Sequence, residues 1–162
     1  LVTDLAAAAE GAGQADWPAR VQKLKDGHLT ELAGRTVWLD GAHNVHGARA
    51  LVASLSSLYP RKWIIVFGAL DTRPADEFLS VIKPIADRIY CLTIPNQPAA
   101  LEASTLVSRA RTLGLKADTA NDISSACRAI GILGVSDDQP VIICGSLYLA
   151  GAVLQANGTL PD

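Results

Sequence analysis

Short apolar runs bounded by turn residues recur along the chain, with helical patterns between them. Val37–Leu39, Trp63–Phe67, Arg88–Ile94 and Val141–Cys144 read as strands rich in Val, Ile and aromatic residues. They alternate little between apolar and polar, which suits strands covered on both faces in a largely parallel sheet. Ala48–Leu58 sets Leu51, Val52, Leu55 and Leu58 along one helical face. Ala75–Ala86 does the same with Phe78, Leu79, Ile82 and Ile85, and Pro84 in its last turn predicts an early end or a kink. Leu101–Leu113 predicts a third helix, stopped by Gly114. Asp122 suits the N-cap of a fourth, Ile123 to Leu133, which Gly134 ends. Ser146 opens a fifth, running to Asn157 with Gly158 following, and Lys116–Thr119 adds a short strand. Ahead of residue 35 the pattern predicts one helix near the start, then a loop or hairpin through Asp26–Gly27. Strands alternating with helices predict an open α/β sheet of the doubly wound type.

Composition narrows the function classes. At 162 residues the chain is one domain, or one domain plus an extension, by the rough ~150-residue yardstick. Hydrophobic residues make up 49% and charged residues 19%, enough apolar material for a core and too little charge for a disordered chain. A net charge of -2 lacks the electrostatic footprint of a general nucleic-acid binder. No stretch approaches the ~18 apolar residues of a membrane helix. The apolar opening, Leu1–Ala9, carries Asp4 and no basic leading segment, so it does not read as a signal peptide. Cys91, Cys127 and Cys144 are too few and scattered for a disulfide framework and form no C-x-x-C pair, which points to a reducing, cytoplasmic compartment. The sequence contains no methionine, which predicts a chain either processed or cut from something longer.

In open α/β sheets ligands bind beyond the carboxyl ends of the strands. Three junctions there offer chemistry. Leu39-Asp40-Gly41-Ala42-His43-Asn44 follows the first clear strand: Asp40 can accept from ribose hydroxyls, and His43 and Asn44 can face a base or phosphate. Asp40 or Asn44 equally suits a cap for the next helix. At Ile143-Cys144-Gly145-Ser146-Leu147-Tyr148 a strand feeds a helix, so free N–H groups and the Ser146 hydroxyl converge into an anion site or, more plainly, an ordinary N-cap. Gly68-Ala69-Leu70-Asp71-Thr72-Arg73 offers the cation Arg73, or a solvated loop charge. There is no G-x-x-x-x-G-K-[ST] loop, no G-x-G-x-x-G after a strand and no G-x-S-x-G elbow. His28 and His46 have no evident partner and read as surface or packing residues.

Taken in order, Trp17-Pro18-Ala19-Arg20-Val21-Gln22, Leu39-Asp40-Gly41-Ala42-His43-Asn44 and Cys144-Gly145-Ser146-Leu147-Tyr148 resemble one family: the C-terminal domain of folylpolyglutamate synthase/dihydrofolate synthase, in the Mur ligase superfamily. The resemblance implies a Rossmann-like three-layer domain with a mostly parallel sheet of about six strands over residues 17–162. Residues 1–16 would be a linker or N-terminal extension from an ATPase domain outside this chain. It further implies a ligase that joins L-glutamate to dihydropteroate or to a folate through an acyl phosphate, with ATP and Mg²⁺. The phosphate loop, metal ligands and pterin pocket would lie in the N-terminal domain, the expected partner. By position, Arg20 would contact ATP phosphates and Asp40 the ribose, with His43 and Asn44 beside the nucleotide. Ser146, and Arg73 with it, would bind glutamate, and no catalytic residue would lie in this chain alone. The chain departs from the family wording at Ala19, at Val45 and at Arg73-Pro74, where the family shows Gly, Pro and Lys-Asp. Two other readings compete: the equivalent domain of a peptidoglycan-precursor ligase, and a stand-alone Rossmann-like binding module. Neither nucleic acid nor membrane is an expected partner.

Overall fold

The computed structural model describes residues 20–133 and 138–159. Six strands form one sheet: β1 (Gln22–Lys23), β2 (Val37–Leu39), β3 (Trp63–Phe67), β4 (Ala86–Cys91), β5 (Ala117–Thr119) and β6 (Val141–Cys144). Their spatial order is β1-β2-β6-β3-β4-β5. Only β1 runs antiparallel to its neighbour, pairing Gln22 with Leu39 and Lys23 with Trp38. The other pairings are all parallel. The helices are α1 (His28–Ala33), α2 (Val45–Leu58), α3 (Ala75–Ile82), α4 (Ala103–Thr112), α5 (Ile123–Gly131) and α6 (Leu147–Asn157).

Strand side chains alternate between two cores, because successive residues of a strand face opposite sides. Ile65, Phe67, Ile89, Cys91, Ile142 and Cys144 pack with Leu51 and Leu55 of α2, Phe78 and Leu79 of α3, and Leu106 of α4. Val37, Leu39, Ile64, Val66, Val141 and Ile143 pack with Leu29 of α1, Cys127 and Ile130 of α5, and Leu149 and Val153 of α6. The central strands β3 and β6 are buried at every position, which explains their unbroken apolar runs. The result is the three-layer α/β architecture expected from the sequence.

Several bounds move, each for a local reason. The strand expected over Arg88–Ile94 is Ala86–Cys91, because its register is set by β3, with Trp63 opposite Ala86 and Phe67 opposite Cys91. Leu92 and Ile94 stay apolar because they line the second core beyond the strand. The helix expected over Ala75–Ala86 stops at Ile82 and tightens into a single 3₁₀ turn, Lys83–Ile85, around Pro84. Of the loop or hairpin expected through Asp26–Gly27, the loop is what forms. Gly27 caps α1, its N–H donating to Thr30 Oγ1 at 2.9 Å, and the antiparallel return from β1 to β2 is made through that helix. The helix expected near the start, the stop at Gly134 and the segment Trp17-Pro18-Ala19 lie outside the described residues.

Candidate functional site

Helices α2 and α3, which follow β2 and β3, pack on one face of the sheet, whereas α6, which follows β6, packs on the other. Because β6 lies between β2 and β3, the loops part company there, and a crevice opens at the strands' carboxyl ends. Its floor is stitched by main-chain bonds. Asp40 N–H donates to the Ile143 carbonyl at 3.0 Å, Gly145 N–H to Ala42 at 3.0 Å and Gly68 N–H to Cys144 at 3.4 Å. Gly145 has φ +117, and a β-carbon there would collide with the Gly68 carbonyl oxygen. The loops after β3 and β6 touch so closely that only glycine fits.

Asp40 is 8% exposed. Its Oδ1 accepts from the Ala42 N–H at 2.7 Å, and its Oδ2 accepts from the Val21 N–H at 2.8 Å. Burial pushes its carboxyl above the ordinary value of 3.8, opposed by those two N–H groups and by the nearby positive ends of Arg20 and His43. The Val21 it holds has φ +40. A β-branched residue in the left-handed region costs on the order of 1–3 kcal/mol and persists only where its surroundings over-determine it. Here the Asp40 bond fixes one side and the short β1 pairing the other. Arg20 is exposed beside this carboxylate, and no hydrogen bond or ion pair engages its guanidinium among the described residues.

His43 is half-buried, with Nδ1 3.0 Å from the Gly41 carbonyl oxygen. An oxygen there requires the proton on Nδ1 and leaves Nε2 free. Asn44 is the N-cap of α2, its side-chain oxygen accepting from the Gly47 N–H at 2.8 Å. Ser146 is 3% exposed and caps α6, its Oγ accepting from the Tyr148 N–H at 3.0 Å. The capping alternative read from the sequence is therefore seen at Asn44 and Ser146, while Asp40 instead fastens Val21 and Ala42. Arg73 is exposed on the loop leaving β3. That loop is held to the one after β4 by Asp71 N–H to Ala99 at 2.8 Å and Leu101 N–H to Ala69 at 2.9 Å.

The structure thus gathers Arg20, Asp40 and His43, sets Asn44 and Ser146 at the two helix starts that flank the crevice, and places Arg73 on the adjoining loop. His28 and His46 are exposed, in keeping with a surface role. Sequence reasoning missed Val21, whose part is played by a backbone N–H and a φ angle that leave no signal in residue type. It also missed a cleft of about 1020 Å³ between the loops after β4 and β5 and helix α6, lined by Asn96, Asn121, Asp122, Tyr148 and Gln155 over Leu92 and Ile94. All three cysteines are buried, and burial lifts the Cys91 and Cys127 thiols to about 12 and Cys144 likewise upward, so none is a poised nucleophile. Among the described residues no cluster of three His, Cys, Asp or Glu could hold a metal ion, and no helix is long and apolar enough to cross a membrane.

Comparison with known proteins gives a family model described as Mur ligase, glutamate ligase domain, which matches residues 20–147. A folylpolyglutamate synthase of Lacticaseibacillus casei is 29% identical over 148 residues, 90% of this chain and 31% of that protein. The Mycobacterium tuberculosis folylpolyglutamate synthase complexed with ADP and AMPPCP superposes with a TM-score of 0.75 at 25% identity, over 90% of this chain and 33% of that one. A bifunctional folylpolyglutamate synthase/dihydrofolate synthase with Mn, AMPPNP and L-glutamate bound gives 0.70 at 27% identity, over 88% of this chain and 32% of that one. The chain spans about a third of the length of these relatives.

Proposed function

The chain belongs to the Mur ligase glutamate ligase domain family, and we propose that it is the part of an ATP-dependent folate ligase that closes over the nucleotide and receives L-glutamate. The observation that carries this reading is the crevice between β2, β6 and β3, where a cation unpaired among the described residues, a buried carboxylate and two helix starts meet. Binding of ATP analogues and L-glutamate by its relatives supports it.

Each residue has a part in this reading. The Arg20 guanidinium neutralises phosphate charge and forks onto phosphate oxygens. Asp40 has one further lone pair on each oxygen for ribose hydroxyls, and His43 Nε2 and Asn44 stand beside the nucleotide. The free N–H groups at the start of α6 and the Ser146 hydroxyl, whose proton remains to donate, hold a glutamate carboxylate. Arg73 supplies charge for the second carboxylate. The substrate carboxylate takes the terminal phosphoryl group of ATP, leaving ADP. The glutamate amine then attacks the acyl phosphate, an amide forms and phosphate departs. The described residues offer no ligand set for Mg²⁺, so no step here is assigned to it. The metal and the phosphate loop belong to an ATPase domain joined through residues 1–16, with residues 17–162 as the domain proper, in the cytoplasm.

The test is a substrate screen on the protein that unites this domain with its ATPase partner. ADP release is expected to require L-glutamate together with dihydropteroate or a folate. Release driven instead by a nucleotide-linked peptidoglycan precursor would overturn the folate assignment while leaving the family intact.

A further inference from the structure

Asp40 already has two hydrogen bonds before any ligand arrives, and both go to the backbone. One of them reaches across the chain to Val21, 19 residues earlier. The segment it holds has little else to hold it. β1 is two residues long, and beyond it Leu24 N–H donates to the Val37 carbonyl at 2.9 Å. Val21 sits at φ +40, a conformation valine leaves readily unless held. Its side chain packs against the α2 side of the sheet, so the turn cannot swing outward without also exposing an apolar group. The residue immediately before it is Arg20, exposed and unpaired among the described residues.

We propose that Asp40 is a positioning residue for Arg20: its carboxylate latches the Val21 N–H onto the end of β2, fixing the left-handed turn that aims the Arg20 guanidinium into the crevice. The Ala42 N–H on the other oxygen anchors the carboxylate itself, so the latch is rigid at both ends. A flexible arginine would pay conformational entropy on reaching a phosphate, and a preset backbone removes part of that cost. The proposal rests on the reading that Arg20 contacts phosphate, and it adds a function for Asp40 that does not pass through the ribose.

Inorganic tripolyphosphate separates the two roles, because it has phosphates and no ribose. Its affinity and that of ATP are measured by calorimetry on the intact protein and on Arg20→Ala, Asp40→Asn and the double variant. Arg20→Ala is expected to weaken both ligands on the order of tenfold. Asp40→Asn, which keeps one acceptor oxygen and turns an NH₂ toward the other N–H, is expected to weaken tripolyphosphate by a similar factor. The double variant should bind tripolyphosphate no worse than either single one, the mark of two residues acting through one contact. Amide exchange supplies a second readout: in Asp40→Asn the Val21 N–H should lose protection while the Leu24 N–H keeps it. Should Asp40→Asn fold poorly, Val21→Pro removes the N–H and forbids φ +40 with the carboxylate intact, and it should reproduce the loss. If Asp40→Asn weakens ATP and spares tripolyphosphate, or if its effect on tripolyphosphate adds to that of Arg20→Ala, the latch is overturned and Arg20 keeps its role. If Arg20→Ala changes neither ligand, the reading of Arg20 falls, and the latch has nothing to aim.

Discussion

Gly145 shows how one absent β-carbon sets the width of the crevice. Its left-handed backbone and its contact with the Gly68 carbonyl both forbid a side chain. Gly145→Ala is expected to cost roughly 1–3 kcal/mol for the overpacking beyond the ~1–2 kcal/mol of the φ penalty. Gly158→Ala is the control, because φ there is +76 but nothing stands within 4 Å of the new methyl group. Urea unfolding of both variants checks this, and equal losses would mean that the close approach is not what demands glycine. Residue chemistry was legible where it is local. Asp40, His43, Asn44 and Ser146 stood out by type and by their place after strands, and Asn44 and Ser146 do cap helices. The bond from Asp40 to Val21 was not legible, since any residue except proline offers that N–H.

Helix ends were the most readable elements, because a cap is a bargain struck within four residues. Asp122 accepts from the Ser125 N–H at 2.7 Å, and α6 starts at its serine and stops at its glycine as expected. The Ser125 bonds hold the Asp122 carboxyl below the ordinary 3.8. A carboxyl with a lowered folded-state value stabilises the fold above its unfolded value and loses that contribution as pH falls through the folded one. Removing the cap in Asp122→Ala should cost about 0.5–2 kcal/mol at pH 7, the range for loss of a helix N-cap. The gap between variant and parent should narrow as pH drops below the unfolded value, which urea titrations across the acid range would read. A constant gap would mean that the charge of Asp122 contributes nothing to the cap. Helix α1 was illegible for the opposite reason. It is six residues long, its cap is a glycine, and the Leu29 N–H finds its partner in Asn157 Oδ1, 128 residues away. Asn157 also donates to the Lys25 carbonyl at 2.9 Å, so a residue of α6 organises α1. The bounds of β4 were likewise set by its neighbour in the sheet, not by its own apolar run.

For the whole molecule, the three-layer class was legible because strands buried on both faces and amphipathic helices leave few arrangements. Strand order was not, since no local pattern says which strands become neighbours. On the proposed reading the chain offers only one wall of the reaction site. Alone, with dihydropteroate, L-glutamate, ATP and Mg²⁺, it should release no ADP. Appreciable turnover in a coupled assay would show that the described residues need no second wall. The sheet order has a further consequence, in time. β6 follows every other strand in the sequence yet lies between β2 and β3. Until it inserts, both neighbours present bare edges, open to pairing with other chains. Insertion demands contacts between Val37 and Val141, far apart in sequence, the kind of closure that makes folding slow. The same event brings Gly145 against Gly68 and gives Asp40 its bond to Ile143. Completion of the sheet and formation of the crevice thus go together, so on the proposed reading a form without β6 in place has no crevice in which to hold nucleotide or glutamate.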